Sequence, residues 1–216
     1  MAKKYPKKLA ELRLDFDIAA KKNHIYPLKD TFFSLMPNSV RPYLTNGRTD
    51  FTYFGGPFRY SDAAFPDMLD KSWRITADID VAAKDPDGMI VTQGGWFGGW
   101  GLMVRNGKPE FIYMTTSRAD DGVDLIGTKL LPPGHHVLKV DFTYDGGGIA
   151  KGAAILLTVD GETTAKGHLN RSIGFIVGEE ATIGWDSGTA LTEDYKLPFK
   201  YPDTIHSVKI HLARPE

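Results

Sequence analysis

Apolar and polar residues alternate in several short stretches of the chain, most regularly between Trp73 and Val81. The odd-numbered positions of this stretch are apolar and the even-numbered ones are polar. A period of two places one face of a strand on a core and the other in water, so a half-buried strand is predicted. The same period recurs over residues 136–143 and 204–212. In the last stretch it slips by one residue, which predicts a β-bulge.

Turn-forming pairs separate these stretches and favour hairpins. Asn106-Gly107 and Asp160-Gly161 each lie between two apolar stretches, and these residue types tolerate the left-handed backbone conformations that short hairpin loops require. Ten or more short strands without βαβ alternation predict an all-β fold, a two-sheet antiparallel jelly-roll sandwich of the concanavalin-like or laminin-G-like kind. Residues 116–127 are predicted to form a polar loop or an irregular edge.

Residues 5–23 carry apolar side chains at three- and four-residue steps, which predicts an N-terminal amphipathic helix. Pro6 suits its first turn, and Lys21 and Lys22 suit the negative end of the helix dipole. A short helical turn is also predicted at 30–36. The predicted organisation is a helical segment (1–36), an ordered wrapping linker (37–71) and a β-sandwich (72–216) in one folding unit. The apolar face of the helix needs a partner, which is the sandwich, another protein or a second copy of the chain.

The stretch 91–102 combines two glycine pairs with three large aromatic residues, Trp96, Phe97 and Trp100. Two interpretations remain open. The rings fill the space that the glycines leave in a sandwich core, or they form a platform that stacks on the apolar faces of sugars.

Oxygen-bearing side chains gather in a second stretch, which includes Asp186, Thr189, Asp194 and Tyr195. Such a loop suits a hard cation, so calcium near Asp186 and Asp194 is one interpretation. The other is a loop whose side chains cap its own backbone amides. A third polar group comprises Arg118, Asp120, Asp121 and Asp124. The candidate ligand-binding residues are Trp96, Phe97, Trp100, Arg118, Asp186, Thr189, Asp194 and Tyr195.

Composition excludes several classes of function. The chain has 216 residues, no cysteine and a formal net charge of -1. It therefore has no thiolate nucleophile or disulfide, and bulk charge gives no reason to expect nucleic acid or an anionic membrane as a partner. No signal peptide is visible, which indicates a cytoplasmic protein if Met1 is the native start. No catalytic motif, metal-binding histidine motif or phosphate-binding loop is present, so no catalytic residue and no metal ligand is assigned.

Several stretches resemble the C-terminal region of large bacterial arylsulfatases of the alkaline phosphatase superfamily. The most specific are Phe142-x-Tyr144-Asp145-Gly146-Gly147-Gly148-x-x-Lys151-Gly152 and Asp186-x-Gly188-Thr189-x-x-x-x-Asp194-Tyr195-x-x-Pro198-Phe199. Further similar stretches are residues 5–17, 25–28, 41–53, 72–79 and 93–100. The resemblance spans nearly the whole chain and implies an accessory β-sandwich.

The catalytic part of that family has no counterpart here. Its formylglycine arises from a Cys/Ser-x-Pro-x-Arg motif, which this chain lacks. The resemblance therefore implies a non-catalytic sandwich that supports or covers the active site of a sulfatase catalytic domain or subunit. The alternatives are a free-standing carbohydrate-binding, lectin-like module and a glycan-active hydrolase. The hydrolase requires two carboxylates facing each other across a cleft, and the adjacent Glu179 and Glu180 are poorly placed for this if they lie on one strand.

Overall fold

A computed structural model describes residues 3–26, 44–82, 86–116, 118, 122–174 and 179–213. The chain forms two compact units, Met1–Leu35 and Met36–Glu216. Within the described residues, no helix combines the length and the apolar character needed to cross a lipid bilayer.

The first unit contains the predicted N-terminal helix, α1 (Pro6–Lys22). Proline occupies its first turn and lysines its last turn, as the helix dipole favours. At the C-terminal end, the backbone N–H and the side-chain amide of Asn23 both donate hydrogen bonds to the Ala19 carbonyl, at 3.0 and 2.8 Å, which caps the last turn. The helix is thus confirmed. Its contact with another copy or protein stays a prediction, and the turn predicted at 30–36 lies outside the described residues.

The second unit is built from β-strands. In chain order they are β1 (Asp50–Tyr53), β2 (Phe58–Tyr60), β3 (Trp73–Val81), β4 (Gly88–Gly95), β5 (Gly98–Arg105), β6 (Lys108–Met114), β7 (Gly122–Ile126), β8 (Gly134–Tyr144), β9 (Ala153–Val159), β10 (Glu162–Leu169), β11 (Ala181–Ile183), β12 (Trp185–Asp186), β13 (Phe199–Lys200) and β14 (Ile205–Leu212).

These strands form two sheets. Sheet A has the order β1-β14-β3-β8-β9-β10, and sheet B has the order β12-β13-β4-β5-β6-β7, with β11 pairing with both β2 and β4. Neighbouring strands are antiparallel apart from the short parallel contact of β13 with β4. The predicted all-β, two-sheet antiparallel sandwich is therefore confirmed.

The core lies between the sheets and follows the predicted alternation. Residues Trp73, Ile75, Ala77, Ile79 and Val81 of β3 are all buried in one hydrophobic cluster. The rings of Trp73 and Phe142 stack with their centroids 4.5 Å apart, joining β3 to β8. The slip predicted in the last strand is a register shift between Ile205 and Ser207, which confirms the bulge.

Sheet B is apolar on its outer face as well. Met89, Met103, Ile112 and Met114 form a second buried cluster there with Leu191 and Tyr195. The covering residues belong to the stretch between β12 and β13, called here the crossing segment (residues 187–198). At Gly101 an added Cβ would lie 2.8 Å from the Leu191 side chain, so the absence of a side chain lets the crossing segment sit on the sheet.

One local feature is left open by the sequence predictions, and a second differs from them. The glycine-aromatic stretch is a hairpin between β4 and β5, in which Gly95 pairs with Gly98 and Gly94 with Gly99. The stretch predicted as a loop or irregular edge includes a regular strand, β7, paired with β6. Pairing with the longer strand β6 compensates for the polar composition around β7, since strand formation depends on cross-strand neighbours.

Candidate ligand-binding site

The crossing segment is fixed to sheet B by a buried acid and a buried phenol. The Tyr195 hydroxyl donates a hydrogen bond to Asp186 Oδ2 at 2.5 Å and accepts one from the Leu191 amide at 2.8 Å. The other carboxylate oxygen of Asp186 accepts from the Gly188 amide at 3.3 Å. Burial raises the pKa of Asp186, while the Tyr195 hydrogen bond acts in the opposite direction. These hydrogen bonds tie Gly188, Leu191 and Tyr195 back to Asp186, so the first part of the crossing segment forms a closed loop.

The closed segment has a pocket on each side of it. One, called the Trp96 pocket, is lined by residues of β6, β7 and the later part of the segment. The other, called the Arg59 pocket, is lined by residues of β2, β4, β11 and the earlier part. The two have similar volumes of about 320 and 300 Å³. Both therefore depend on how the segment lies on the sheet.

The Trp96 pocket has an apolar side, an aromatic wall and an acidic rim. Trp96 is half-buried in the two-residue turn of the β4–β5 hairpin. The apolar side is formed by Ile112, Met114, Val123 and Leu191, and the polar side by Asp124, Thr192, Glu193 and Asp194. Adjacent to Trp96, an added Cβ at Gly95 would lie 2.6 Å from the Thr189 carbonyl oxygen. Glycine at this position thus lets the hairpin turn and the crossing segment approach each other.

Arg105 lies beside this pocket and holds two of its carboxylates. Its side chain is 16% exposed, and its Nε lies 2.8 Å from Glu110 Oε2. Its two terminal nitrogens lie 3.7 Å from Asp124 Oδ2 and 3.5 Å from Asp194 Oδ2. Asp124 belongs to β7 and Asp194 to the crossing segment, so one cation ties the edge strand to the segment.

Glu110 is the most deeply buried acid of this network. Its residue exposure is 1%, and no hydrogen-bond donor contacts its Oε1. Burial raises its pKa to about 7 against the Arg105 hydrogen bond, and the neighbouring Asp124 charge raises it further. Burial also raises the pKa of Asp124. The carboxyl of Glu110 is therefore protonated below about pH 7, and the raised pKa of Asp124 makes it easier to protonate than an exposed aspartate.

The Arg59 pocket is also mostly acidic. Glu179, Glu180 and Asp186 line it together with Arg59. The guanidinium of Arg59 is already engaged, since Nε lies 3.1 Å from Glu180 Oε2 and a terminal nitrogen donates to Ser187 Oγ at 2.9 Å. Glu179 and Glu180 precede β11 instead of lying within a strand, so both reach the same pocket.

The three aromatic candidates do not share one surface. Trp100 is 4% exposed and packs in the core, with its ring centroid 5.7 Å from that of Trp73. Phe97 is 65% exposed in the hairpin turn and is not among the described residues that line the two pockets. Trp96 alone of the three lines the Trp96 pocket. Alternation explains this outcome, because Trp100 pairs with Gln93 and Tyr113 on the inward face of sheet B.

The polar candidates are divided between the two pockets. Asp186 and Thr189 line the Arg59 pocket, whereas Asp194 lines the Trp96 pocket. Tyr195 is 8% exposed and supports the segment from below. The separation does not favour one calcium ion bound by both Asp186 and Asp194. Among the residues that the structure describes, no three acidic or histidine side chains are grouped so that they could hold a metal ion.

Arg118 follows β6, and its backbone N–H donates to Thr116 Oγ1 at 3.2 Å. Its neighbours Asp120 and Asp121 lie outside the described residues. Arg105 and Glu110 were not predicted as site residues. The sequence does carry a signal for these two residues: they flank the Asn106-Gly107 turn, and they are charged positions in strands that are otherwise strongly apolar.

Solved structures with similar folds include a carbohydrate-binding module and laminin domains. The CBM40 module of the Ruminococcus gnavus IT-sialidase, bound to α2,3-sialyllactose, superposes with a TM-score of 0.53 at 11% identity, over 74% of this chain and 90% of that one. Domains LG4-5 of the mouse laminin α1 chain give a TM-score of 0.52 at 15% identity, over 87% of this chain and 48% of that one. The leech intramolecular trans-sialidase gives a TM-score of 0.50 at 12% identity, over 78% of this chain and 26% of that one.

At these identities the likeness shows the fold alone. It confirms the predicted laminin-G-like jelly roll. No protein-family model matches the sequence, and no curated protein matches it either. The structural neighbours are thus carbohydrate-binding modules and laminin-G-like domains.

Proposed function

We propose that this chain is a glycan-binding, lectin-like module and that the Trp96 pocket holds a sugar ring. The observation that carries this proposal is the composition of that pocket: a half-buried indole, an apolar side and a rim of carboxylate and hydroxyl oxygens. Sugars present apolar C–H faces and hydroxyl donors, which match an aromatic wall and carboxylate acceptors respectively. A cavity of about 320 Å³ also lies in the range of small-molecule sites.

The fold comparison supports the same class. The R. gnavus module of similar architecture is a sialyllactose complex, so a sandwich of this shape is compatible with carbohydrate recognition. Because the sequence identity is low, the residues that bind in that protein are not transferred to this chain.

The test is a glycan array followed by calorimetric titration of the glycan that binds best. Trp96→Ala should weaken binding by about tenfold or more, since it removes the stacking wall. Phe97→Ala is the matched control: it deletes the neighbouring exposed ring of the same turn and should change affinity by less than about twofold. Equal affinities for the wild type and Trp96→Ala, or no bound glycan on the array, would contradict the proposal.

A second candidate is an accessory sandwich that packs beside a sulfatase catalytic domain. It is supported by the sequence resemblance together with one structural observation: Asp186, Gly188 and Tyr195 of the most specific motif are joined by hydrogen bonds in the closed crossing segment. Under this proposal the purified chain does not hydrolyse nitrophenyl sulfate. It should co-elute with an arylsulfatase catalytic domain that lacks its own C-terminal sandwich. Turnover by the pure chain, or separate elution, would count against it.

A hydrolytic role for the Glu110 and Asp124 pair is less well supported. Asp124 lines the Trp96 pocket, but Glu110 does not, and the Arg105 Nε contacts the Oε2 of Glu110. An acid must reach the glycosidic oxygen of a bound sugar to protonate it. The buried position of Glu110 beneath the rim does not provide that access.

A further inference from the structure

We propose that the Trp96 pocket selects sugars bearing a protonated amine over neutral and acidic sugars. This inference rests on the proposed glycan-binding function and specifies the ligand class of the same pocket. It follows from the polar groups that line the pocket and from the contacts of Arg105 with two of them.

The ionisable residues described as lining the pocket are all acids: Asp124, Glu193 and Asp194. Carboxylates accept hydrogen bonds and donate none when ionised. They can therefore bind hydroxyls and ammonium groups but repel the carboxylate or sulfate of an acidic sugar. Trp96 adds a ring face, which also attracts a cation.

Arg105, a cation that contacts two of these acids, does not reverse this charge. Arg105 has carboxylate oxygens of Glu110, Asp194 and Asp124 at 2.8, 3.5 and 3.7 Å. Asp124, Glu193 and Asp194 outnumber it even where Glu110 is protonated, and its side chain is only 16% exposed. An incoming anion would have to displace an existing partner, whereas an ammonium adds a cation to a site with excess negative charge.

The structurally similar CBM40 module is bound to sialyllactose. Because sialyllactose carries a carboxylate, it serves as the acidic sugar against which the amine preference is tested. Three probes separate the possibilities: a glucosamine tetrasaccharide with free amines, its N-acetylated counterpart, and sialyllactose. Titrations are carried out at about pH 6, where the amines of the first probe are mostly protonated and the carboxylate of sialyllactose is ionised. EDTA is present in one series and calcium in a second.

We expect the free-amine oligosaccharide to bind at least about tenfold tighter than the N-acetylated one and to weaken as salt is raised, because exposed charge pairs are screened. Sialyllactose should show no binding. Asp194→Asn should weaken binding of the free-amine probe by about threefold more than binding of the N-acetylated probe. The matched control is Glu162→Gln, an 84% exposed acid on β10, which should change neither affinity.

The outcomes distinguish this inference from the function on which it rests. Equal affinity for the amine and N-acetyl probes, lost in Trp96→Ala, would overturn the amine preference and retain glycan binding. The amine preference would also be overturned if sialyllactose bound more tightly than the free-amine probe, or if binding appeared only in the presence of calcium. If no probe and no glycan on the array binds, the proposed function fails, and the inference fails with it.

Discussion

Glu110 gives the sharpest test of the network beneath the Trp96 pocket. Burial is the main reason why the pKa of Glu110 is raised to about 7 from its ordinary value of 4.5. At 1.36 kcal/mol for each pKa unit, this difference corresponds to about 3 kcal/mol of stability that depends on pH.

The sign follows from proton binding. Between about pH 4.5 and 7 the folded protein keeps Glu110 protonated while the unfolded chain ionises it. The folded state then binds more protons, so the free energy of unfolding falls as pH rises through this window. The contribution is fully present below about pH 4.5 and is lost above about pH 7.

The perturbation is Glu110→Gln, which keeps the shape of the side chain and an oxygen for the Arg105 Nε. The amide stays neutral at every pH, so this part of the pH dependence should disappear. We expect the wild type to lose about 3 kcal/mol more than the variant between about pH 4.5 and 8. Urea unfolding followed by tryptophan fluorescence at a series of pH values measures the difference.

Other acids are retained in both proteins, and subtraction removes the contributions of those that do not interact with Glu110. The measured difference therefore belongs to Glu110 together with any change in the titration of Asp124. Burial raises the pKa of Asp124, whereas hydrogen bonds to His211 and Thr49 lower that of Asp50. Glu162→Gln, which removes an acid that is 84% exposed, should follow the wild-type curve. Parallel pH curves for the wild type and Glu110→Gln would refute the buried-acid argument.

Three further substitutions test the packing around the site by urea unfolding. Tyr195→Phe should cost about 1–3 kcal/mol, because it leaves the buried Asp186 carboxylate and the Leu191 amide without the hydroxyl between them; an unchanged midpoint would contradict this. Gly101→Ala should cost up to about 1 kcal/mol, since its Cβ would lie 2.8 Å from Leu191 Cδ1, the end of a side chain that has to shift, and a loss above about 3 kcal/mol would show that this side chain cannot move aside. Trp100→Ala should cost about 3–5 kcal/mol through the core cavity it leaves, whereas a loss of glycan affinity at full stability would place Trp100 in a binding surface.

Part of the inter-sheet core is predictable from the sequence because apolar and polar residues alternate there. The alternation is strict in β3 and is interrupted in β8 only at His136 and Val137, so the inward face of each strand is evident from the sequence. In β14 the slip in the pattern indicated a bulge, which the structure has between Ile205 and Ser207. The period of two, however, identifies the buried face only when the other face is polar.

The outer face of sheet B could not be derived in that way. Met103 and Ile112 interrupt the alternation of β5 and β6, and both are fully buried on the side away from the main core. A continuous apolar strand indicates burial on both faces, but the pattern does not specify what covers the second face. Leu191 and Tyr195 supply the cover from about 80 residues further along the chain, a long-range contact that no local periodicity encodes.

The same covering segment links stability to the proposed recognition site. Leu191 is buried against sheet B and also lines the Trp96 pocket, while Asp194 both lines that pocket and contacts Arg105. A change that loosens the segment will therefore alter the pocket as well as the free energy of unfolding. Trp96 stands apart because it projects from the hairpin turn and is absent from both buried clusters. A loss of affinity in Trp96→Ala at unchanged stability consequently identifies recognition, whereas parallel losses in Tyr195→Phe reflect the shared support of the pocket wall.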